Sequence, residues 1–271
     1  MNNVQLDNET FTQFADLIYE KAGIYLSSQK QALVSSRLGK RMRKLGLNDY
    51  RAYYKHIRDD ETDTELVHLL DAISTNVTQF YREPRHFDLF RDLLNRWEKE
   101  GQRRFRFWSA GCSSGEEPYT IAITARKTLQ SVQDTKILAT DISSTILEQA
   151  RRGEYEPKRI EQVPDSVLRA FFRKYTKGGN TVYQITEDIS SMITFARLNL
   201  ATPPFPMQGP LDVVFCRNVM IYFDNEVRRR LLNEIYRLLK PGGYLMVGHS
   251  ESLSGILSEF KVVEPAVYRK D

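Results

Sequence analysis

Residues 104–119 read RFRFWSAGCSSGEEPY, an apolar run rich in aromatic residues that passes directly into a turn bracketed by glycines. The apolar run predicts a buried β-strand, and the residues from Glu116 onward predict a helix. Gly111 and Gly115 bracket the turn, an arrangement that lets a ligand approach the backbone N–H groups at the start of a helix. The stretch therefore predicts a strand–turn–helix unit with a ligand site at its turn.

The same alternation of strand and helix continues towards the C-terminus. Helical stretches at 116–130 and 225–240 separate further β-rich runs, which read TKILATDIS (135–143), LDVVFCRN (211–218), YLMVGHS (244–250) and PAVYRK (265–270). This alternation predicts an α/β fold with a mostly parallel sheet that is covered on both faces. The interval of about 155–195 fits the pattern poorly. There, SVLRAFFRKY predicts a helix, and KGGN followed by TVYQI predicts a small β-hairpin insertion.

The first 75 residues have a different pattern, because their apolar residues recur at helical spacing. Three stripes show this spacing: Phe11, Phe14, Leu17 and Ile18; Val34, Leu38, Met42 and Leu45; Leu66, Leu69, Leu70 and Ile73. We therefore expect an all-helical N-terminal domain over residues 1–75. A second domain is expected over residues 76–271, with residues 76–84 as the connector between the two.

Length and composition exclude several protein classes. The chain has 271 residues, of which 41% are hydrophobic and 27% charged, and only two are cysteines. Two cysteines far apart exclude a disulfide scaffold and a thiolate zinc site. The first residues lack a signal-peptide pattern, and no apolar run approaches the roughly 18 residues of a membrane span. We therefore expect a cytoplasmic protein.

Positive charge is concentrated near the N-terminus. The net charge is +4, but residues 30–58 alone carry +8, so the other residues sum to −4. At helical spacing, one stripe beside the apolar residues of this segment contains Arg37, Lys40, Arg41 and Lys44. Such a stripe predicts an anionic partner, which at this point could be nucleic acid, an acidic protein surface or a membrane.

An acidic residue follows the second predicted strand at the spacing expected for a nucleoside cofactor. Asp141 lies thirty residues after Gly111 and could accept hydrogen bonds from both ribose hydroxyls. The alternative is that Asp141 caps the following helix. Glu116 and Glu117 stand at the helix start, where two anions would repel a pyrophosphate and would suit a cationic ligand. The pattern therefore favours a sulfonium cofactor over a dinucleotide.

Two other polar groups could complete a pocket. The connector STNVTQFYREP (74–84) carries Asn76, Thr78 and Arg82, which suit a pocket wall but equally a plain turn. The strand at 211–216 is followed by Arg217, Asn218 and Tyr222. Ligands of open α/β sheets bind at the carboxyl ends of strands, so this second group favours a ligand site.

The string GHSES at 248–252 resembles the nucleophile elbow of esterases. That fold requires a catalytic histidine after the serine in chain order, and no histidine follows Ser250. The four histidines also lack metal-ligand spacing. An α/β-hydrolase is therefore excluded, and we expect structural or surface histidines and no metal site.

Six motifs, in this order, resemble the bacterial chemotaxis receptor methyltransferases of CheR type: STNVTQFYRE, SAGCSSGEEPYTIA, ATDIS, ARLNL, CRNVMIYF and LKPGGYLMVGHSESL. The resemblance covers nearly the whole chain, and Tyr81 is a small departure where the family usually has phenylalanine. It implies the Rossmann-like fold of S-adenosylmethionine-dependent methyltransferases. It also implies methyl transfer from S-adenosylmethionine to receptor glutamates, with S-adenosylhomocysteine as the product and no metal.

The resemblance also implies site residues and partners. Together with Gly111 of the turn, the implied cofactor contacts are Asn76, Thr78, Arg82, Glu117, Asp141, Asn199, Leu200, Arg217 and Asn218. Arg82 and Tyr222 are the candidates near the reacting centre. The helical domain would recognise the receptor through the stripe of Arg37, Lys40, Arg41 and Lys44, and the hairpin would dock a receptor's C-terminal peptide. We expect a monomer that binds no nucleic acid. The alternatives are an RNA methyltransferase and an inactive cofactor-binding signalling module.

Overall fold

The N-terminal part of the chain consists of helices, as its apolar stripes predict. The computed structural model describes residues 5–74, 77–251, 253, 255–256 and 259–271. Before the connector it contains α1 Asn8–Ala22, α2 Gln31–Leu45, α3 Tyr50–Arg58 and α4 Thr64–Ile73. Asp7 caps α1 by accepting a hydrogen bond from the backbone N–H of Thr10 at 2.8 Å. Gly23 ends that helix with a left-handed φ of +67°, which glycine adopts without steric cost.

The second part of the chain is built around one large sheet. Its strands are β1 Phe105–Ala110, β2 Thr135–Asp141, β6 Ile193–Arg197, β7 Leu211–Cys216, β8 Leu239–Val247, β9 Phe260–Glu264 and β10 Val267–Lys270. They are arranged in the order β6-β2-β1-β7-β8-β10-β9. Pairing is parallel from β6 to β8 and antiparallel at β10 and β9. The predicted α/β fold with a mostly parallel sheet is therefore confirmed.

Helices cover both faces of this sheet. The main ones are α5 Pro84–Lys99, α6 Glu116–Thr128, α7 Ser144–Arg152 and α10 Asn225–Leu238. Side chains alternate along β1, so that Trp108 packs in one core with α10 and the N-terminal helices, whereas Phe107 packs in the other core with α5 and α6. The helical domain therefore shares its hydrophobic core with one face of the sheet.

A small antiparallel sheet occupies the interval that fits the alternation poorly. It contains β3 Glu154–Tyr155, β4 Phe172–Lys177 and β5 Asn180–Ile185, in the order β3-β5-β4, and it is flanked by α8 Asp165–Phe171 and α9 Glu187–Ser190. The predicted helix SVLRAFFRKY is wrong in its second half, because Phe172 pairs with Ile185 and enters the core. Tertiary pairing overrides local helix propensity at that point.

Two edge strands of the large sheet have no counterpart in the sequence prediction. β6 and β9 lie at the two ends of the large sheet, where all their residues are exposed or half-buried. An edge strand needs no continuous apolar run, so its sequence signal is weak. Among the described residues, no helix combines the length and the apolar character needed to cross a membrane.

The sheet positions a site at its carboxyl edge. From β1 the chain first builds β2 and β6 on one side, and then returns to build β7 and β8 on the other. The order of strands thus reverses between β1 and β7, and a crevice at such a switch point is where α/β proteins bind ligands.

Candidate active site

A cleft of about 930 Å³, measured out to its open mouth, lies at this switch point. Ala22 and Ile24 of the helical domain form part of its wall. The cleft brings together ten residues proposed from the sequence: Thr78, Arg82, Gly111, Glu117, Asp141, Asn199, Leu200, Arg217, Asn218 and Tyr222. Asn76 lies outside the described residues. The four residues of the basic stripe are not among those that line the cleft.

Gly111 begins the turn after β1 and lies against the loop that follows β7. Its φ is +83°, and a Cβ atom at this position would stand 2.3 Å from Cγ2 of Val219. Any side chain would therefore clash with that loop and strain the backbone. The absence of a side chain leaves the backbone itself as the cleft wall.

Asp141 ends β2 and is held by the turn after β1. Its Oδ2 accepts a hydrogen bond from the Ser113 N–H at 2.9 Å, and its Oδ1 accepts one from the Ser143 N–H at 3.0 Å. Burial raises the pKa of Asp141, although these hydrogen bonds act in the opposite direction. Ser143, not Asp141, caps α7, since its side chain accepts the Ile146 N–H. A carboxylate offers about four acceptor positions, so Asp141 keeps acceptor capacity for a ligand.

Arg217 is a buried cation in the wall of the cleft. It is 6% exposed, and its guanidinium donates to the carbonyl of Arg82. Oε2 of Glu83 and Oε2 of Glu117 lie 3.3 Å and 3.4 Å from its nitrogens. The guanidinium also lies over the ring of Phe87, with its central carbon 5.4 Å from the ring centroid. Arg217 is therefore fixed in place by two anions, one carbonyl and one aromatic ring.

The two glutamates at the start of α6 face different environments. Glu117 lines the cleft and accepts a hydrogen bond from the Ser109 hydroxyl at 2.6 Å. Burial raises the pKa of Glu117, although the charge of Arg217 acts in the opposite direction. Glu116 is buried outside the cleft, where it pairs with Arg159 at 2.7 Å. The sequence argument that placed both anions at the ligand is therefore wrong for Glu116. Glu117 remains as the carboxyl group at the start of α6 that faces the cleft.

Polar contacts position the remaining cleft residues. Asn199 donates from its side chain to the carbonyl of Lys21 at 2.8 Å, which ties the wall after β6 to the end of α1. Asn218 has a left-handed φ of +60°, and its N–H donates to Glu251 at 2.7 Å. The backbone N–H of Tyr25 donates to the carbonyl of Tyr222 at 2.8 Å. The helical domain thus supports the loop that carries Tyr222.

Sequence reasoning missed Glu83 and Glu251, the two acidic residues that hold this edge together. Glu251 is buried and accepts the N–H groups of Asn218 and Gly248, each at 2.7 Å. Glu251 lies in GHSES and in the longer motif LKPGGYLMVGHSESL, but neither pattern indicates that its carboxylate accepts backbone N–H groups. Glu83 lies in the connector, directly after Arg82.

These residues fit S-adenosylmethionine. Asp141 keeps acceptor capacity for ribose hydroxyls. Glu117 places a carboxyl group on the cleft wall, and a cationic ligand beside it would favour the ionised form. The turn at Gly111 presents its backbone to the ligand. The model for the SAM binding domain of CheR methyltransferases matches residues 76–269, and the model for the all-alpha domain of the same family matches residues 9–74.

The chain belongs to the CheR methyltransferase family.

Curated relatives of this CheR chain agree with the assignment. The chemotaxis protein methyltransferase of Escherichia coli is 36% identical over 97% of this chain and 91% of that protein. The one from Borreliella burgdorferi is 35% identical over 99% of this chain and 96% of that protein. Chemotaxis protein methyltransferase 2 of Pseudomonas aeruginosa is 39% identical over 90% and 86%. This CheR protein is accordingly an S-adenosylmethionine-dependent methyltransferase.

Proposed function

We propose that this methyltransferase transfers the methyl group of S-adenosylmethionine to glutamate side chains in the cytoplasmic helical domain of chemoreceptors, and so forms methyl esters. The observation that carries this proposal is the chemistry of the cleft wall. Among the described lining residues there is no histidine, lysine or cysteine, and the carboxylates Glu117 and Asp141 are already engaged in hydrogen bonds. A cleft of this kind suits an acceptor that needs no deprotonation.

A glutamate carboxylate is such an acceptor, because it is ionised at neutral pH. S-adenosylmethionine supplies a methyl group already activated on a sulfonium, so a carboxylate oxygen can form the new O–C bond as the S–C bond breaks. The protein then has to hold the two reactants in line and exclude water, and placement of this kind is worth roughly 7–11 kcal/mol.

Within the cleft, Arg82 and Tyr222 are our proposed residues for placing the acceptor. Arg82 is half-buried, and its guanidinium is oriented by the carbonyl of Val77 at 3.0 Å. Tyr222 lines the same cleft on the short helical turn after β7. Both side chains present hydrogen-bond donors to an incoming carboxylate.

Recognition of the receptor is proposed for the exposed part of the basic stripe. Lys40 and Lys44 are exposed one turn apart on α2. Arg37 donates to the carbonyl of Ile73, and Arg41 binds the buried Glu65 through two hydrogen bonds. The part of the stripe that faces outwards is therefore reduced to Lys40 and Lys44. We assign the receptor contact to these two lysines.

The small sheet supports a second receptor contact. β4 is an edge strand of that sheet in the described structure, and an edge strand can accept an added peptide strand. We propose that a receptor's C-terminal peptide docks there, and that the enzyme acts as a cytoplasmic monomer, without nucleic acid and without a metal in the transfer step.

The test is methylation by the full chain with methyl-labelled S-adenosylmethionine. A chemoreceptor cytoplasmic fragment serves as the acceptor, and the matched control is the same fragment with its methyl-accepting glutamates replaced by alanine. We expect label on the first fragment only, released as methanol by mild alkali. Label that resists alkali, or that enters RNA instead of the fragment, would contradict the proposal.

A further inference from the structure

Three side chains that can bind metals meet beside the cleft, although they are far apart in the sequence. Glu83 directly precedes α5, His86 lies in the first turn of that helix, and His249 follows β8. One ligand atom from each lies within 4.8 Å of the other two. Spacing along the chain predicted structural or surface histidines, and spacing alone cannot detect a cluster assembled from two distant segments.

His86 is the unusual member of the cluster. Its side chain is 1% exposed, and neither ring nitrogen has a hydrogen-bond partner among the described residues. A buried polar atom without a partner is costly, so it calls for a ligand. Nδ1 of His86 lies 3.4 Å from Oε2 of Glu83. Two ligand atoms on one tetrahedral zinc ion, with bonds of about 2.0–2.1 Å, are separated by roughly 3.3 Å.

His249 connects this buried pair to solvent. Its residue is exposed, its ring centroid lies 5.1 Å from that of His86, and its backbone N–H donates to Oε1 of Glu83 at 3.2 Å. The backbone is therefore fixed against the cluster while the imidazole can turn inwards. An exposed ligand of this kind also provides the entry path that an ion needs.

We propose that Glu83, His86 and His249 bind one divalent transition-metal ion of the zinc class, with a fourth position open to water. Two imidazoles and one carboxylate form a ligand set that zinc uses in proteins. Magnesium and calcium prefer oxygen ligands throughout, so this set discriminates against them.

The ion would act on the cleft through Arg217. That guanidinium shares Oε2 of Glu83 at 3.3 Å, so an ion on the same carboxylate competes with it. Arg217 would remain close to Glu117 on its other side. Since Arg217 lines the cleft, ion binding loosens one of its anchors and lowers the affinity for cofactor. The site is therefore inhibitory, whichever acceptor is methylated.

The experiment titrates the full chain with Co²⁺, whose visible absorption reports tetrahedral coordination, and then displaces it with Zn²⁺. His249→Ala is the test variant, because its side chain is exposed and its backbone contact to Glu83 survives. His56→Ala is the matched control, because His56 is an exposed histidine on α3. Calorimetry with S-adenosylhomocysteine checks that each variant is folded.

We expect one Co²⁺ per wild-type chain, at least tenfold weaker binding in His249→Ala, and no change in His56→Ala. Binding that is absent from the wild type, or equally strong in His249→Ala, overturns the site. Zn²⁺ should also weaken S-adenosylhomocysteine binding severalfold in the wild type but not in His249→Ala. Equal cofactor affinity with and without Zn²⁺ in the wild type overturns the inhibitory role. Neither readout involves a receptor, so failure here is separate from failure of the proposed acceptor.

Discussion

Arg41 in the helical domain and Arg217 at the sheet edge are both bound to glutamates with little exposed surface, yet only Arg217 lines the cleft. Arg41 binds both carboxylate oxygens of Glu65, and Tyr53 donates to the same glutamate at 2.8 Å. That cluster is closed, because its donors and acceptors satisfy one another. Arg217 has two glutamate partners and forms a wall of an open cleft. An ion pair in a closed cluster can contribute only to stability, whereas an ion pair beside an open cleft can also contribute to ligand binding.

Removing Arg217 should have the largest effect. Arg217→Ala leaves Glu83 and Glu117 without their shared cation and removes a charged side chain from the cleft. Truncating one partner of a buried charge pair at a binding surface costs about 2–5 kcal/mol of affinity. We expect the affinity for S-adenosylhomocysteine to fall more than a hundredfold in calorimetry. Arg217→Lys should be intermediate, because it keeps the charge and loses the planar fork. Wild-type affinity in a folded Arg217→Ala protein would show that the pair is as closed as the one at Arg41.

Removing Arg41 is the matched experiment on the closed cluster. Arg41→Ala should lower the free energy of unfolding by about 3 kcal/mol, the lower end of the range for buried pairs, because one fifth of its side chain is exposed. S-adenosylhomocysteine affinity at a temperature where the variant is folded should not change. Denaturant unfolding measures the first quantity and calorimetry the second. A loss of cofactor affinity would break the distinction between the two arginines.

The closed cluster should also have its own pH dependence. Burial alone would raise the pKa of Glu65, but the hydrogen bonds from Arg41 and Tyr53 leave it lowered. A lowered pKa in the folded state contributes stability above the unfolded value of about 4.5, which is lost as the pH falls through the folded value. Arg41→Ala should remove this contribution, so the wild-type advantage in unfolding free energy should shrink as the solution is acidified.

The sequence predicted the cleft better than the stripe for a physical reason. Gly111, Asp141 and Arg217 each follow a predicted strand, and parallel strands deliver their carboxyl ends to one edge. The position of a residue along the strand therefore fixes its position in space. On α2, helical spacing placed Arg37 and Arg41 on the basic stripe, but it could not show that α4 supplies acceptors for them. Helical periodicity gives the face on which a residue lies, but it does not give the partners that a long side chain reaches on another helix.

Asp141→Ala tests an acceptor that has free capacity in the open cleft. Losing hydrogen bonds to a charged acceptor costs about 1.5–3 kcal/mol, so S-adenosylhomocysteine should bind about tenfold to a hundredfold more weakly. Because burial raises the pKa of Asp141, wild-type affinity should begin to fall at a higher pH than an ordinary aspartate would give. In Asp141→Asn, the loss of affinity that comes from protonation of Asp141 should be absent. Protonation of Glu117 should lower the affinity equally in both proteins. Identical pH profiles would remove Asp141 from the site.

Arg82→Ala tests placement rather than binding. If its guanidinium orients the acceptor, kcat should fall about tenfold to a hundredfold while cofactor affinity stays near wild type. Arg85→Ala is the control, since that arginine is exposed near the same helix start and pairs with Glu264. A raised KM with unchanged kcat would mean that Arg82 binds the acceptor equally in the ground and transition states.

The smallest effect should come from the exposed lysines of α2, and it bears on whether the helical domain has an open charged surface at all. Changing Arg37 and Arg41 would not test this, because a glutamate at position 41 would face the buried Glu65 and unfold the closed cluster. Lys40→Glu with Lys44→Glu avoids that contact. Exposed pairs are worth only about 0.2–1 kcal/mol each, so reversing two charges should raise the KM for receptor roughly tenfold and leave S-adenosylhomocysteine affinity unchanged.

The control variant, Lys127→Glu with Lys136→Glu, makes the same charge change near the end of α6 and the start of β2, away from the cleft. Wild-type KM should also rise with salt, because exposed charges are screened over about 8 Å at physiological ionic strength. If both double variants raise KM equally, receptor attraction depends on net charge alone. If only the α2 variant does so, and salt abolishes the difference, the two lysines form an open surface beside a closed pair on the same helix.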